Sequence, residues 1–94
     1  EIELEKKMPF NAESSYHFFW IQVTERDKFM KKMFENTIET GIHYKPIHEM
    51  KFYKCKFTLP NTESAGKHIV SIPIHPNLTE SDVSKIIKSI NQFS

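Results

Sequence analysis

The chain predicts an α+β fold: a two-layer sandwich in which a sheet of about three strands carries helices on one face. Three observations predict it. Short apolar runs show two-residue alternation, helical runs follow hydroxyl and carboxylate caps, and the two kinds of segment interleave along the chain. Ninety-four residues, 38% of them hydrophobic, fit one domain, because a chain of this size buries roughly two-thirds or less of its unfolded surface.

Residues 1–14 read as a linker or a remnant of upstream chain, and 15–94 as the domain. Glu1 to Pro9 is polar with little to bury, and a start on Glu1 instead of Met fits a removed amino-terminal part. Ser15 to Val23 then places Phe19, Ile21 and Val23 on one side of an extended chain and Tyr16, Phe18 and Trp20 on the other, a strand expected to be buried on both faces. Thr24-Glu25-Arg26-Asp27 offers a capping pair. Phe29, Met30, Met33 and Phe34 follow at helical spacing, giving a helix to about Asn36.

Ile38, Thr40, Ile42 and Tyr44 alternate as a second strand, which Pro46 stops because it lacks an amide hydrogen. From Pro46 to Pro60 the pattern predicts a long loop with one helical turn around Glu49 to Tyr53, and long loops in small domains tend to be functional. Asn61 is placed to cap a short helix carrying Ala65, His68 and Ile69. Val70, Ile72 and Ile74 form a third strand bounded by Pro73 and Pro76. Thr79-Glu80-Ser81-Asp82 repeats the capping pattern, and Val83, Ile86, Ile87 and Ile90 fall at i, i+3, i+4 and i+7 of a final helix.

Thirteen Lys and Arg against twelve Asp and Glu leave no basic excess for nucleic acid. A single cysteine, Cys55, allows no internal disulfide and fits a reducing cytoplasm. No apolar run reaches the ~20 residues that span a bilayer, and Glu1 to Lys7 is too polar for a signal peptide. The aromatic run Tyr16 to Trp20 reads as core and not as a base-stacking sheet, since no basic residues interleave with it.

The chemistry concentrates in Gly41-Ile42-His43-Tyr44-Lys45-Pro46-Ile47-His48. Between Lys45 and Lys56 four lysines (Lys45, Lys51, Lys54, Lys56) face one acid, Glu49, and ammonium, imidazole and phenol donors together suit a diphosphate. On composition alone the same segment reads as a solvated lysine face with one or two core histidines. His43, His48, Cys55 and His75 are acceptable zinc ligands, but His43 and His48 lie five apart across a proline, unlike the tight pairs of structural zinc sites. Flanking lysines favour the Cys55 thiolate, yet its setting carries no active-site signature.

Four ordered blocks resemble the DegT/DnrJ/StrS sugar-nucleotide aminotransferases. Tyr16-His17-Phe18-Phe19 is similar to that family's Tyr-His-x-Phe strand, and Arg26-Asp27 opens the helix after it. Gly41 to His48 resembles its His-Tyr-x-Pro-x-His signature. Ser71-Ile72-Pro73-Ile74-His75-Pro76 resembles its Ser-Leu-Pro segment, with Leu78-Thr79-Glu80 opening the last helix.

The resemblance implies the carboxyl-terminal small domain of a fold-type I aminotransferase. Such an enzyme uses pyridoxal phosphate to move an amino group, usually from glutamate, to a nucleotide-linked keto-sugar, and works as a homodimer. The cofactor and its Schiff-base lysine belong to the missing large domain, so the 94-residue chain is expected to be inactive, with no catalytic residue and no metal. His43, Tyr44, Lys45 and His48 are implied as substrate-binding, and Ser71 to Pro76 as structural. Trp20, Phe52 or Tyr53 would supply an apolar patch that drives self-association of the isolated chain. The alternative is a stand-alone module that binds a phosphorylated ligand without turning it over.

Overall fold

A computed structural model describes residues 2–53 and 58–93. In chain order these form strand β1 (Leu4–Lys7), strand β2 (Phe19–Val23), helix α1 (Arg26–Glu35), two 3-10 turns (Ile47–Glu49 and Lys51–Tyr53), helix α2 (Pro60–His68), strand β3 (Ile69–Ile72) and helix α3 (Glu80–Phe93). The sheet is antiparallel throughout, with β2 between β1 and β3. Register pairs Leu4 with Val23 and Lys7 with Ile21 on one side, and Phe19 with Ile72 and Ile21 with Val70 on the other.

The expected α+β sandwich is present, but its three strands are not the three expected. The polar start is structured: β1 pairs along β2, and Ile2, 3% exposed, closes the core beside Ile21, Val23, Phe29, Met33, Ile38, Val70 and Ile86. β1 itself is exposed along its length, which is how charged side chains blunt a sheet edge.

The expected strand over Ile38–Tyr44 is reduced to one bridge, Gly41 with Ser71. There the amide of Gly41 donates to Ser71 O (3.0 Å) and the amide of Ser71 to Gly41 O (2.8 Å). The next hydrogen-bonded pairs of that ladder would be Glu39 with Pro73 and His43 with Ile69. Pro73 has no amide hydrogen, and the Ile69 amide is committed to Ala65 O at the end of α2. Both directions of growth are closed.

β2 is buried on one face only. Ile21 and Val23 enter the core with Phe19 packed against its edge, while Trp20 and Gln22 on the opposite face are half-buried. The helices are correspondingly one-sided. Phe29 and Met33 are buried and Phe34 faces outward; on α3 Ile86 and Ser89 are buried whereas Val83 and Ile87 are exposed.

Caps follow the sequence at α3 and depart from it at α1. Thr79 and Asp82 reciprocate, the Thr79 amide donating to Asp82 Oδ2 (3.0 Å) and the Asp82 amide to Thr79 Oγ1 (3.1 Å). Thr24 does not cap α1. Its hydroxyl accepts from the amide of Glu3 (2.9 Å), tying the helix entrance to β1. At α2 the first residue is Pro60, and Glu63 Oε2 accepts from the Leu59 amide (2.5 Å), where Asn61 was expected to cap.

Candidate functional site

The segment from Thr37 to His48 is set in place at four points. Thr37 leaves α1 in the left-handed region (φ 62), with its amide on Phe34 O (2.9 Å) and the Ile38 amide on Met33 O (2.9 Å). This is the paired closure of a Schellman motif, and it seats Ile38 on Met33 in the core. Gly41 then bridges β3, as above.

His43 is the third point. Its ring lies parallel to Phe18 (centroids 4.3 Å apart, 10° between planes) and its Nδ1 is 2.9 Å from Ser71 Oγ. A side chain at position 41 would crowd it: a Cβ there would fall 3.0 Å from His43 Cε1. The following peptide, His43–Tyr44, is cis. Tyr44 meets the imidazole edge-on (5.1 Å, 83°) and remains 66% exposed. The fourth point is Pro46, buried against Gly66 of α2.

His43 borders two clefts. The larger, about 690 Å³, lies between the Thr37–Gly41 segment and the stretch from Ser71 to His75, with Asp82 and Lys85 of α3 at its rim. The smaller, about 370 Å³, is bounded by His43, Tyr44 and Pro46 on one side and Asn61, Ala65 and Gly66 on the other. Lys85 Nζ donates to Thr37 Oγ1 (2.5 Å).

The four residues implied as substrate-binding thus fall into two settings. His43 and Tyr44 share ring contacts and a cleft, with Lys45 exposed beside them. His48 turns away: its side chain is 7% exposed and Nε2 lies 3.2 Å from Glu63 Oε2. The Leu59 amide first, and His48 second, hold the Glu63 carboxyl below the usual carboxylate range.

The histidines weighed as zinc ligands do not gather. His43 and His75 line the larger cleft, and His48 sits with Glu49 and Glu63, their ligand atoms within 4.8 Å of one another. Lys54, Cys55 and Lys56 lie outside the described residues. Of the three residues expected in an apolar patch, Phe52 and Tyr53 are exposed and Trp20 is half-buried. Among the described residues no helix is long and apolar enough to cross a membrane.

Two contributors escaped the sequence reading. Phe18 was placed in the core and Ser71 in a structural strand, yet they form the bed and the hydrogen-bond partner of His43. Only the adjacency of Ser71 to the proline-rich run hinted at it.

The model of the DegT/DnrJ/EryC1/StrS aminotransferase family matches residues 1–91. The chain belongs to that family. Its fold is that of the aminotransferase TlmJ from Streptoalloteichus hindustanus (TM-score 0.83, 26% identity, 97% of this chain and 25% of that chain). A DegT DnrJ EryC1 StrS aminotransferase from Brucella abortus is similar at 33% identity (TM-score 0.83, 94% of this chain and 26% of that chain). The PMP form of a Streptococcus pneumoniae protein, 21% identical, shares the fold (TM-score 0.84, 94% of this chain and 25% of that chain). This family member spans about a quarter of the length of the structures it matches.

Proposed function

We propose that this chain is the carboxyl-terminal small domain of a pyridoxal-phosphate-dependent aminotransferase that acts on a nucleotide-linked keto-sugar, with glutamate as amino donor. The observation that carries this reading is the family match over residues 1–91, in a chain covering a quarter of its relatives' length. The complete polypeptide works as a cytoplasmic homodimer, and the 94-residue chain alone is inactive.

Pyridoxal phosphate supplies the electron sink for amino transfer. Lys85, the lysine lining the larger cleft, donates to Thr37, and we assign it no role toward the cofactor. The cofactor and the lysine that holds it fall to the remainder of the polypeptide.

What these residues contribute is binding of the nucleotide sugar. His43 and Tyr44 stand together on a cleft, the imidazole held against Phe18 and the phenol open to solvent. Imidazole and phenol donors with the Lys45 ammonium match the oxygens and charge of a diphosphate. His48, paired with Glu63, acts indirectly by holding the turn that follows Pro46 onto α2.

Kinetics of the full-length enzyme test the reading. His43→Ala and Tyr44→Phe should each raise KM for the nucleotide sugar by about tenfold, the loss expected of a hydrogen bond to a charged group, with KM for glutamate unchanged. Pyridoxal phosphate added to the full-length protein should give a visible absorbance band that glutamate bleaches. A full-length gene product of about this chain's own size, binding a phosphorylated ligand without turnover, would instead support a stand-alone module.

A further inference from the structure

We propose that Ser71 is the positioning residue for His43: its hydroxyl donates to Nδ1 and fixes the ring proton on Nε2, the nitrogen left to meet an anionic oxygen. This rests on the reading above, in which His43 meets the diphosphate of the nucleotide sugar. Ser71 is 6% exposed and its Oγ lies 2.9 Å from Nδ1. Among the described residues, Nδ1 is the one acceptor that this hydroxyl reaches. Were the ring proton on Nδ1, the largely buried hydroxyl would have no protein acceptor among the described residues, an arrangement folded proteins seldom leave. The satisfied solution has Nδ1 accepting and Nε2–H donating, and a neutral imidazole donates through one nitrogen only.

The backbone makes the contact dependable. Gly41 and Ser71 exchange both hydrogen bonds of their bridge, which sets the height of Oγ relative to the residue two positions after Gly41. Phe18 fixes the tilt of the ring from its face, and the bare Cα of Gly41 admits its Cε1 edge. The hydrogen bond made by one ring nitrogen commonly decides which nitrogen of a histidine carries the proton.

Nitrogen-15 NMR of the full-length enzyme labelled in histidine, in buffer alkaline enough to keep imidazoles neutral, reads the tautomer and the hydrogen bond at Nδ1. The expected wild-type spectrum shows His43 protonated on Nε2 with a hydrogen-bonded Nδ1. Ser71→Ala should move the Nδ1 resonance to its unbonded position and admit the other tautomer, and Ser71→Thr should restore both. A wild-type ring protonated on Nδ1 overturns the proposal whether or not Ser71→Ala folds, as does an Nδ1 resonance indifferent to Ser71→Ala in a chain whose amide spectrum is intact. Pyrophosphate serves as the probe for the anion. It should shift His43 Nε2, and its affinity should fall about fivefold in Ser71→Ala and stay within about twofold of wild type in Ser71→Thr, as expected for one neutral hydrogen bond. If pyrophosphate leaves Nε2 unmoved while the tautomer behaves as stated, the substrate reading fails and the hold of Ser71 on the ring stands.

Discussion

Gly66 and Pro46 meet so closely that a Cβ on Gly66 would lie 2.6 Å from Pro46 Cγ and 2.8 Å from its Cδ. Glycine inside α2 costs helix stability, about 0.5–1 kcal/mol relative to alanine, so its presence needs a reason, and the pyrrolidine ring supplies one. Gly66→Ala should therefore destabilise the domain despite its better helix propensity. Overpacking of about 1–3 kcal/mol outweighs the helix gain, and the Pro46 turn should shift with it. Urea denaturation decides the sign, and a higher midpoint for Gly66→Ala would refute the packing account.

Thr37 pulls in the opposite direction. A β-branched residue at φ 62 occupies the position of a Schellman motif that favours glycine. Thr37→Gly should raise stability by about 0.5–1 kcal/mol, slightly reduced by loss of the Lys85 hydrogen bond, which joins two exposed residues. The readout is again the urea midpoint, with Thr37→Asn expected between the two.

Arg26 binds the carboxyl-terminal end of α2. Its Nη1 donates to the Gly66 carbonyl and, at 3.4 Å, to that of Ile69, and Gly66 O is among the carbonyls a helix end leaves without an internal partner. Arg26→Ala strips that partner from a part-buried site, at a cost of about 1–3 kcal/mol. Arg26→Lys should recover only part of it, because an ammonium lacks the planar fork. Thermal melts of the two variants give the order.

Acid should loosen both capped helices. The Thr79 amide, then the Thr79 hydroxyl, hold the Asp82 carboxyl below its usual value, and the Leu59 amide does the same for Glu63. A carboxyl whose folded pKa is depressed binds its proton more weakly in the native state. It adds stability above its unfolded pKa and loses that contribution as pH falls through the folded value. Melting temperature measured from neutral to acid pH should fall for wild type, and fall less steeply over the carboxylate range for Asp82→Asn and for Glu63→Gln.

The parts of this domain legible in the sequence are those whose partners lie within one turn. Thr79 and Asp82 are three residues apart, so their reciprocal cap could be read directly. Thr24 carries the same local pattern, yet its hydroxyl goes to the amide of Glu3, a partner that no helical window contains. The alternation over Ile38 to Tyr44 is a genuine strand pattern, and what cancels it is remote: a proline at 73 and an Ile69 amide already taken by α2. Ile2 was hidden for a similar reason, since one inward residue among charged neighbours looks polar until the sheet supplies its other wall. In the turn before Pro46, Tyr44 and Lys45 are exposed, as their own polar groups lead one to expect. The inward His48 and the Ser71 contact depend on segments that meet only after folding.

Placing β2 at the middle of the sheet has a kinetic cost. Neither of its neighbours arrives through a tight hairpin: β3 returns only after the whole excursion from Val23 to Ile69. Closing so long a loop before any β2–β3 bond forms raises the contact order, and such domains fold slowly for their size. Until β3 docks, the β3-facing edge of Phe19 to Val23 is unpaired, and an unpaired edge is a template for other chains.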